Sequence, residues 1–406
     1  MPQSSWKNVL NLTVIVAALG YFVDIFDLVL FPIVRIPSLL SLGVPAGDID
    51  RVFALLNATQ MIGMLLGGIF WGVLGDKKGR LSVLFGSITL YSLANIANAF
   101  VPNIPAFYLL RFVAGFGLAG ELGVAITLVS EVLPKETRGI GTAIVASVGV
   151  TGAVVAALVG NELPWRWAFG VGGVLGLLLL LLRIKVTDSG MFERMQHTQV
   201  SQGNFFMLFQ SRERFLRYMR CIFVGLPIWY VVGVLVHFSP TIAKASGVTG
   251  VIVPGTAIAC CYAGLAVGDF GSGIISQWLK SRRRAIALFQ GLAAVGVVAV
   301  LSLRGLSPMA YYILCVYLGI AGGYWAVFVT VASEQFGTNL RATVTTTAPN
   351  FVRGFVAILQ PAFVFLSFRI GVVASAASLG IIALTLGGLS LVGMRETHGR
   401  DLDFTE

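Results

Sequence analysis

The chain alternates long apolar runs with short polar clusters, and the runs are too long and too continuous for β-strands. A helix needs about 20 apolar residues to cross the hydrocarbon of a bilayer, whereas a tilted strand needs about 10. Twelve runs of the longer kind can be counted, at roughly 9–34, 49–75, 81–101, 104–133, 138–160, 165–184, 215–242, 250–279, 285–303, 308–336, 341–367 and 370–394. The pattern predicts an all-α membrane protein with twelve transmembrane helices. One Lys and no small-residue cleavage site precede the first run, which reads as a retained span. The longest polar stretch, 185–214, separates the sixth run from the seventh. The expected division is therefore a six-helix bundle over 1–184, a linker over 185–214, and a second bundle with a short tail over 215–406.

The two halves read as copies. SEVLPKETRGIGTA (130–143) recurs as SEQFGTNLRATVTT (333–346), which sets Glu131 on Glu334 and Arg138 on Arg341 at a spacing of 203, half of the 406 residues. The same spacing sets Arg80 on Arg283 and Gly120 on Gly323. A parallel duplication places a central site between two pseudo-symmetric bundles.

Composition narrows the function classes. Hydrophobic types make up 57% of the chain and charged types 11%, with a mean hydropathy of +0.88. A soluble domain is about a quarter charged, so this chain cannot cover a water-facing surface and a soluble enzyme is excluded. The net charge of +10 is of a size seen in nucleic-acid binders, but here the basic residues sit in short clusters between apolar runs. Such clusters mark the cytoplasmic side of a membrane protein, and no nucleic-acid partner is expected. Lys7, Lys77, Lys78, Arg80, Lys135, Arg138, Arg183 through Arg220, Lys280, Arg282 to Arg284, Arg341, Arg395 and Arg400 share one side. Arg51, Arg166, Lys244, Arg304 and Arg369 are scattered on the other. Both termini are expected in the cytoplasm, with the protein in the inner (plasma) membrane. Cys221, Cys260, Cys261 and Cys315 form no CxxC pair and the three His are dispersed, so no metal, cofactor or catalytic grouping is expected.

The loop GVLGDKKGRL (72–81) resembles the G-x-L-x-D-x-x-G-R-x signature of the major facilitator superfamily. Gly72 and Gly79 permit close approach and a tight turn, Asp76 can meet a helix N-terminus across the half interface, and Arg80 can pair with a carboxylate. The counterpart SQWLKSRRR (276–284) keeps the basic cluster but lacks the Asp, so one latch is expected to be weaker. RFVAGFGLAGE (111–121) running into SEVLPKETRG is similar to patterns of metabolite:proton symporters and their sugar-porter relatives. VTDSGMFERM (186–195), with Gly190 in place of the usual Pro, and the tail RETHGRDLDFTE (395–406) resemble the same branch. The segment 139–153 lacks the proline of the antiporter signature, which counts against drug:proton exchange. The resemblance implies the major facilitator fold, rocking of the two bundles, and a cavity lined by the first, fourth, seventh and tenth spans. It also groups Glu131, Arg138, Glu334, Arg341 and Asp269 with the gating motif.

Ionisable groups within a span are costly and are functional candidates. Asp24 and Asp27 in the first span share a helical face, and two neighbouring carboxylates in low dielectric should not both be ionised. Each is a candidate proton carrier. Counting residues from the span ends sets Asp27 and Arg111 at matching depth, open to two readings, a fixed ion pair or a proton-gated one. Glu121 is a second proton site or part of a charge latch. Arg353, near mid-membrane, suits a bidentate carboxylate or pairs with Asp269. The spacing of 203 sets Asp27 on Tyr230 and Glu121 on Tyr324, which suggests that the first half handles protons while Trp229, Tyr230, Tyr324 and Trp325 shape the substrate wall. Gln360 either binds substrate or satisfies carbonyls freed by Pro361, and His237 reads as a hydrogen-bonded histidine near the outer end.

Taken together, the residues point to a secondary active transporter that moves a small organic solute, a carboxylate metabolite, by proton symport and alternating access. Its partners would be the solute, protons and the lipid bilayer, and it would act as a monomer without a cofactor. Two alternatives stay open. One is efflux or exchange of an amphipathic or cationic metabolite or drug, attracted by Asp24, Asp27 and Glu121. The other is a substrate receptor of the same fold that does not cycle, against which the intact Asp76 and Arg80 motif counts.

Overall fold

The structure, a computed structural model, describes residues 11–184, 204–400, 404 and 405, without the side chains of residues 135, 136, 138 and 139. Arg138 beyond its backbone and most of the expected linker 185–214 therefore lie outside the described residues. Among the described residues are twelve helices long and apolar enough to cross a membrane. They are α1 (Leu12–Ser41), α2 (Ile49–Lys78), α3 (Arg80–Ala99), α4 (Ile104–Leu118 and Glu121–Val132), α5 (Lys135–Val150 and Gly152–Glu162) and α6 (Trp165–Arg183). The second set is α7 (Arg212–Tyr230, continued by a π-helical turn Val231–Val236), α8 (Pro254–Trp278), α9 (Arg282–Ser302), α10 (Pro308–Gly322 and Trp325–Gln335), α11 (Arg341–Gly354 and Val356–Ile370) and α12 (Val372–Val392).

Short polar signals start these helices. Asn11, Asn103 and Ser307 each accept a hydrogen bond from the backbone N–H three residues on. Prolines occupy the first turns of α4, α8 and α10, where an N–H has no intrahelical partner. Gly79 turns α2 into α3 with φ 94°, a conformation that leaves glycine unstrained. One expectation needs correction. The first span ends at Ser41 and not near residue 34, since α1 continues through Pro32 and Pro37. Neighbouring helices can re-satisfy the carbonyls that a proline frees. Asp27 is thus about 14 residues from the end of α1, or about 21 Å of rise, and is deeper than the residue count suggested.

The internal duplication is visible in where the helices break. α4 is interrupted at Ala119–Gly120 and α10 at Gly323–Tyr324, α5 at Thr151 and α11 at Phe355, each pair within a residue of the 203 spacing. Discontinuous spans of this kind free backbone groups to face a central site. α2 packs on α4 as α8 packs on α10, and the halves meet where α2 runs along α11 and α5 along α8. The second segment of α4 approaches α11 so closely that a Cβ on Gly123 would collide with the Thr345–Thr346 backbone.

The tail after α12 folds back against the second half. Glu396 accepts from the N–H of Arg282 at 2.9 Å and from the Ser281 hydroxyl, which caps the start of α9. Thr397 donates to Glu334 at 2.7 Å, and the Thr338 N–H donates to the Phe404 carbonyl at 2.8 Å. Partial burial alone would push the Glu396 carboxyl up, but the Ser281 hydroxyl and the N–H groups of His398, Arg282 and Thr397 hold it down to about 2.

Two outcomes follow. Gly123→Val should cost about 1–3 kcal/mol by overpacking and lower the melting temperature in detergent, whereas Gly388→Val, which meets open space, should not. A carboxyl depressed by folding contributes stability above its ordinary value of 4.5 and loses it as pH falls toward about 2. Hydrogen exchange at the Arg282 and Thr397 amides should therefore accelerate between about pH 5 and about pH 2 beyond its intrinsic pH dependence. In Glu396→Gln that excess should be absent.

Candidate functional site

The interruption of α11 follows Arg353 by two residues and leaves its side chain buried between the halves. Nη1 lies 3.7 Å from Oδ2 of Asp24 on α1. The guanidinium carbon is 5.5 Å from the ring of Trp229 on α7 and 5.6 Å from that of Trp325 on α10, and the two indoles stand 6.1 Å apart at 66°. Tyr21 on α1 and Tyr262 on α8 lie within electrostatic range of the same charges. Nε and Nη2 of Arg353 and both carboxylate oxygens of Asp24 are buried without a hydrogen-bond partner among the described residues. A guanidinium has a fixed fork of donors, and here one edge of that fork is open. Two aromatic faces hold the cation while its counter-charge stays beyond hydrogen-bonding distance.

Arg353 does not pair with Asp269, as one reading of the sequence had it. Asp269 instead accepts from the N–H of Ala326 at 3.0 Å. The interruption of α10 leaves the amides of its second segment unpaired next to α8, and a carboxylate suits such a helix start.

Asp27 sits one turn along α1 from Asp24, fully buried, with Gly172 of α6 leaving space for its carboxyl. Arg111 on α4 supplies the opposite charge, yet its hydrogen bonds go to Asn95 at 3.0 Å and Gln60 at 3.4 Å, and it stacks on Phe169 at 4.8 Å. Neither oxygen of Asp27 has a hydrogen-bond partner among the described residues. The pair is electrostatic without being closed. Glu121, in contrast, is gripped through both oxygens by Arg183 of α6, whose Nη1 lies 3.0 Å from Oε2 and also donates to the Leu84 carbonyl at 2.8 Å. Arg183 was counted with the basic residues that set topology. Its stem is long enough to turn inward from the helix end, and the buried carboxylate gives it a destination.

Hydrogen bonds join the halves at both ends of the bundle. At the end bearing the α2–α3 loop, Asp76 accepts from the N–H of Ala342 at 3.2 Å, the N–H of Thr343 at 2.8 Å and the Thr343 hydroxyl at 2.7 Å, and so caps α11. A Cβ at Gly72 would press on Thr343. Arg80 holds Asp76 at 3.4 Å and Glu131 at 2.8 Å, while Arg341 stands 3.9 Å from Glu131. In the second half Glu334 is held by Arg282 at 3.3 Å, one residue before the position that the 203 spacing gives, and Arg283 donates to the Val392 carbonyl instead. At the opposite end, Arg35 donates to the His237 carbonyl at 2.8 Å and pairs with Asp50 at 3.3 Å, and Asp50 accepts from Thr241 at 2.6 Å.

Two tyrosines assigned to a substrate wall face elsewhere. The Tyr230 hydroxyl donates to the Ala376 carbonyl of α12 at 2.6 Å, and that of Tyr324 to the Val224 carbonyl at 2.9 Å. A buried phenol needs an acceptor, and each finds a backbone carbonyl within its own half. Trp229 and Trp325, each adjacent in sequence to one of them, point to Arg353. Gln360 donates to the Gly233 carbonyl at 2.7 Å and accepts from Asn57 at 2.9 Å. It satisfies a carbonyl of the π turn in α7, where helix pairing is disrupted, and not one freed by Pro361. Arg35, Asn57, Gln60 and Asn95 were not singled out from the sequence. Arg35 falls just past the expected end of the first span near residue 34, and the signal of the other three is an uncharged polar residue within an apolar run, weaker than a formal charge. Among the described residues no cluster of three or more His, Cys, Asp or Glu offers a metal site, and the four cysteines are free thiols.

Comparison with known proteins places this geometry. The chain is 40% identical over 132 residues to the niacin transporter NiaP of Acinetobacter baylyi, which spans 32% of this chain and 30% of that protein. It is 26% identical over 322 residues to the 3-(3-hydroxy-phenyl)propionate transporter of Escherichia coli, covering 75% of this chain and 77% of that one. Its backbone matches the proton:xylose symporter XylE with a TM-score of 0.69 over 98% of both chains, at 15% identity, a likeness of fold. Residues 12–361 match the family described as Major Facilitator Superfamily. This multi-pass membrane protein is a transporter and not an enzyme, and it belongs to the Major Facilitator Superfamily.

Proposed function

We propose that the chain takes up a small carboxylate borne on a flat ring, together with protons. The observation that carries this reading is Arg353, held between Trp229 and Trp325 with the Nε–Nη2 edge of its guanidinium unused. A carboxylate fits that edge with two parallel hydrogen bonds, and a ring attached to it meets the indoles. Niacin and 3-(3-hydroxy-phenyl)propionate, the solutes named for two relatives, each join a carboxylate to an aromatic ring, directly in the first and through a two-carbon arm in the second.

Charge accounting supplies the coupling. With substrate bound, two carboxylates share one guanidinium in a site without bulk water, and both should not stay ionised. A proton on Asp24 restores neutrality and ties one proton to each anion. Asp27 is a second proton carrier in this reading. Arg111 is held by Asn95 and Gln60, so neutralising Asp27 removes an attraction without dismantling the surroundings. Glu121, clasped by Arg183, lies outside the route. Alternating access then consists of opening the Arg35–Asp50 end while the Asp76 end stays shut, and the reverse. The basic loops support a cytoplasmic location for the Asp76 end and both termini, with the protein in the inner (plasma) membrane; in this reading one chain suffices for transport.

The decisive assay is uptake of labelled nicotinate or benzoate into proteoliposomes under an imposed pH gradient. Accumulation should follow the gradient in the wild type and vanish in Asp24→Asn, while counterflow exchange persists. Arg353→Lys, which cannot fork, should weaken binding by about tenfold or more. Accumulation by Asp24→Asn at the wild-type level would sink the coupling scheme.

The assignment of Glu121 has its own check. Removing one partner of a buried pair costs about 3–5 kcal/mol, whereas replacing both with apolar groups is far milder. Glu121→Gln and Arg183→Leu should each lower thermal stability more than the double variant Glu121→Leu/Arg183→Leu. A Glu121→Gln protein that melts normally but no longer accumulates substrate would move Glu121 into the proton route.

A further inference from the structure

Between the start of α9 and the end of α12 lies an open cavity of 610 Å³ whose lining includes Lys280, Arg283, Arg284, Leu391 and Val392. It sits where three spans end, since α8 stops at Trp278, α9 begins at Arg282 and α12 stops at Val392. Around it the surface is apolar and outward-facing: Trp278 is 81% exposed, Val392 75% and Leu389 68%. On a membrane protein such residues face lipid, and an exposed tryptophan at a span end marks the headgroup level. The cavity therefore opens at the boundary between hydrocarbon and water.

Its charge is lopsided. Lys280, Arg283 and Arg284 contribute three cations, and Glu396 is the one acid in the lining. That carboxylate is already occupied by the Ser281 hydroxyl and the amides of Arg282 and Thr397. Neither Lys280 nor Arg284 has an ion pair among the described residues. The turn that carries Lys280 adds an independent observation. The Ser281 N–H bonds the Ser276 carbonyl and the Lys280 N–H bonds the Gln277 carbonyl, the pattern of a Schellman cap with Lys280 at its left-handed position, φ 47°. Glycine fills such a position without strain, whereas a side-chain residue does not. A lysine there opposes local folding preference and adds a third cation to the cavity wall.

The geometry points to a binding site for the phosphate headgroup of an anionic glycerophospholipid, with Lys280 and Arg284 on the phosphate and the acyl chains running along Leu391, Val392 and the outer face of α12. Basic pockets between spans at this level are suited to such headgroups, each cation contributing roughly a fivefold gain in affinity. The site is separate from the central residues, so it stands whether or not the carboxylate reading holds.

Native mass spectrometry of the purified protein with phosphatidylglycerol, phosphatidylethanolamine or inorganic phosphate added in turn tests it. The wild type should retain phosphatidylglycerol in preference to phosphatidylethanolamine. Lys280→Gly/Arg284→Ala, which also relieves the left-handed strain, should bind phosphatidylglycerol about thirtyfold more weakly while melting no lower than the wild type. Lys244→Ala, which removes an exposed cation at the other end of the bundle, should leave binding unchanged. Equal retention of the two lipids, unchanged retention by Lys280→Gly/Arg284→Ala, or inorganic phosphate binding as tightly as phosphatidylglycerol would each overturn the assignment.

Discussion

A charge placed inside an apolar bundle has to find its counter-charge within the protein, because no bulk water is there to solvate it. That constraint orders the whole interior. Arg183 meets Glu121 with two donors, and Arg80 meets Glu131 in the same manner. Arg353 and Asp24 stop at 3.7 Å, and Asp27 faces Arg111 without a hydrogen bond. The pairs thus form a graded series from fully closed to merely facing. The closed ones stabilise one arrangement. The loose ones retain unfilled donors and acceptors, which is what a group needs if it is to exchange partners during a cycle.

The two halves meet the same need by different routes. In the first half, Asp76 in the last turn of α2 supplies the acid that caps α11 and holds Arg80. The corresponding loop of the second half has the basic residues without the acid, and the carboxylate at the start of α9 comes from Glu396 in the tail. The pseudo-symmetry broken in the sequence is thus partly restored in space by a segment outside the repeat. Unlike Asp76, however, Glu396 stays within its own half and cannot join the two bundles.

Much of the architecture was legible in the chain. Twelve spans follow from run length, the duplication from the spacing of 203, and the capping role of Asp76 from a motif whose carboxylate stands one helical turn before an arginine. The partners of the buried charges were not legible. Sequence gives a residue's depth along a helix, but pairing also depends on which way each helix is rotated and on which helix lies opposite. The sequence left Arg353 open to a substrate carboxylate or to Asp269, whereas rotation gives Asp269 to the broken end of α10 and Arg353 to Asp24. Arg183 was misread because a residue at the end of a span can point in or out. Tyr230 and Tyr324 were misread because tyrosine serves equally as a wall or as a hydrogen-bond donor to a neighbouring carbonyl. Even depth failed in α1, where the helix continues through Pro32 and Pro37 to Ser41, past the end of the apolar run.

The two sets of bonds between the halves have a consequence for the membrane as an electrical barrier. With Asp76 sealed against α11 at one end and Arg35 seated on the His237 carbonyl at the other, the carboxylates of Asp24 and Asp27 on α1 are buried between two closed ends. In the proton-coupled reading proposed above, a proton on one of them would be insulated from both compartments. On that reading, passage through such a doubly shut state would let the cell keep its ion gradient as a store of energy, drawn down by completed turnovers and not by leakage.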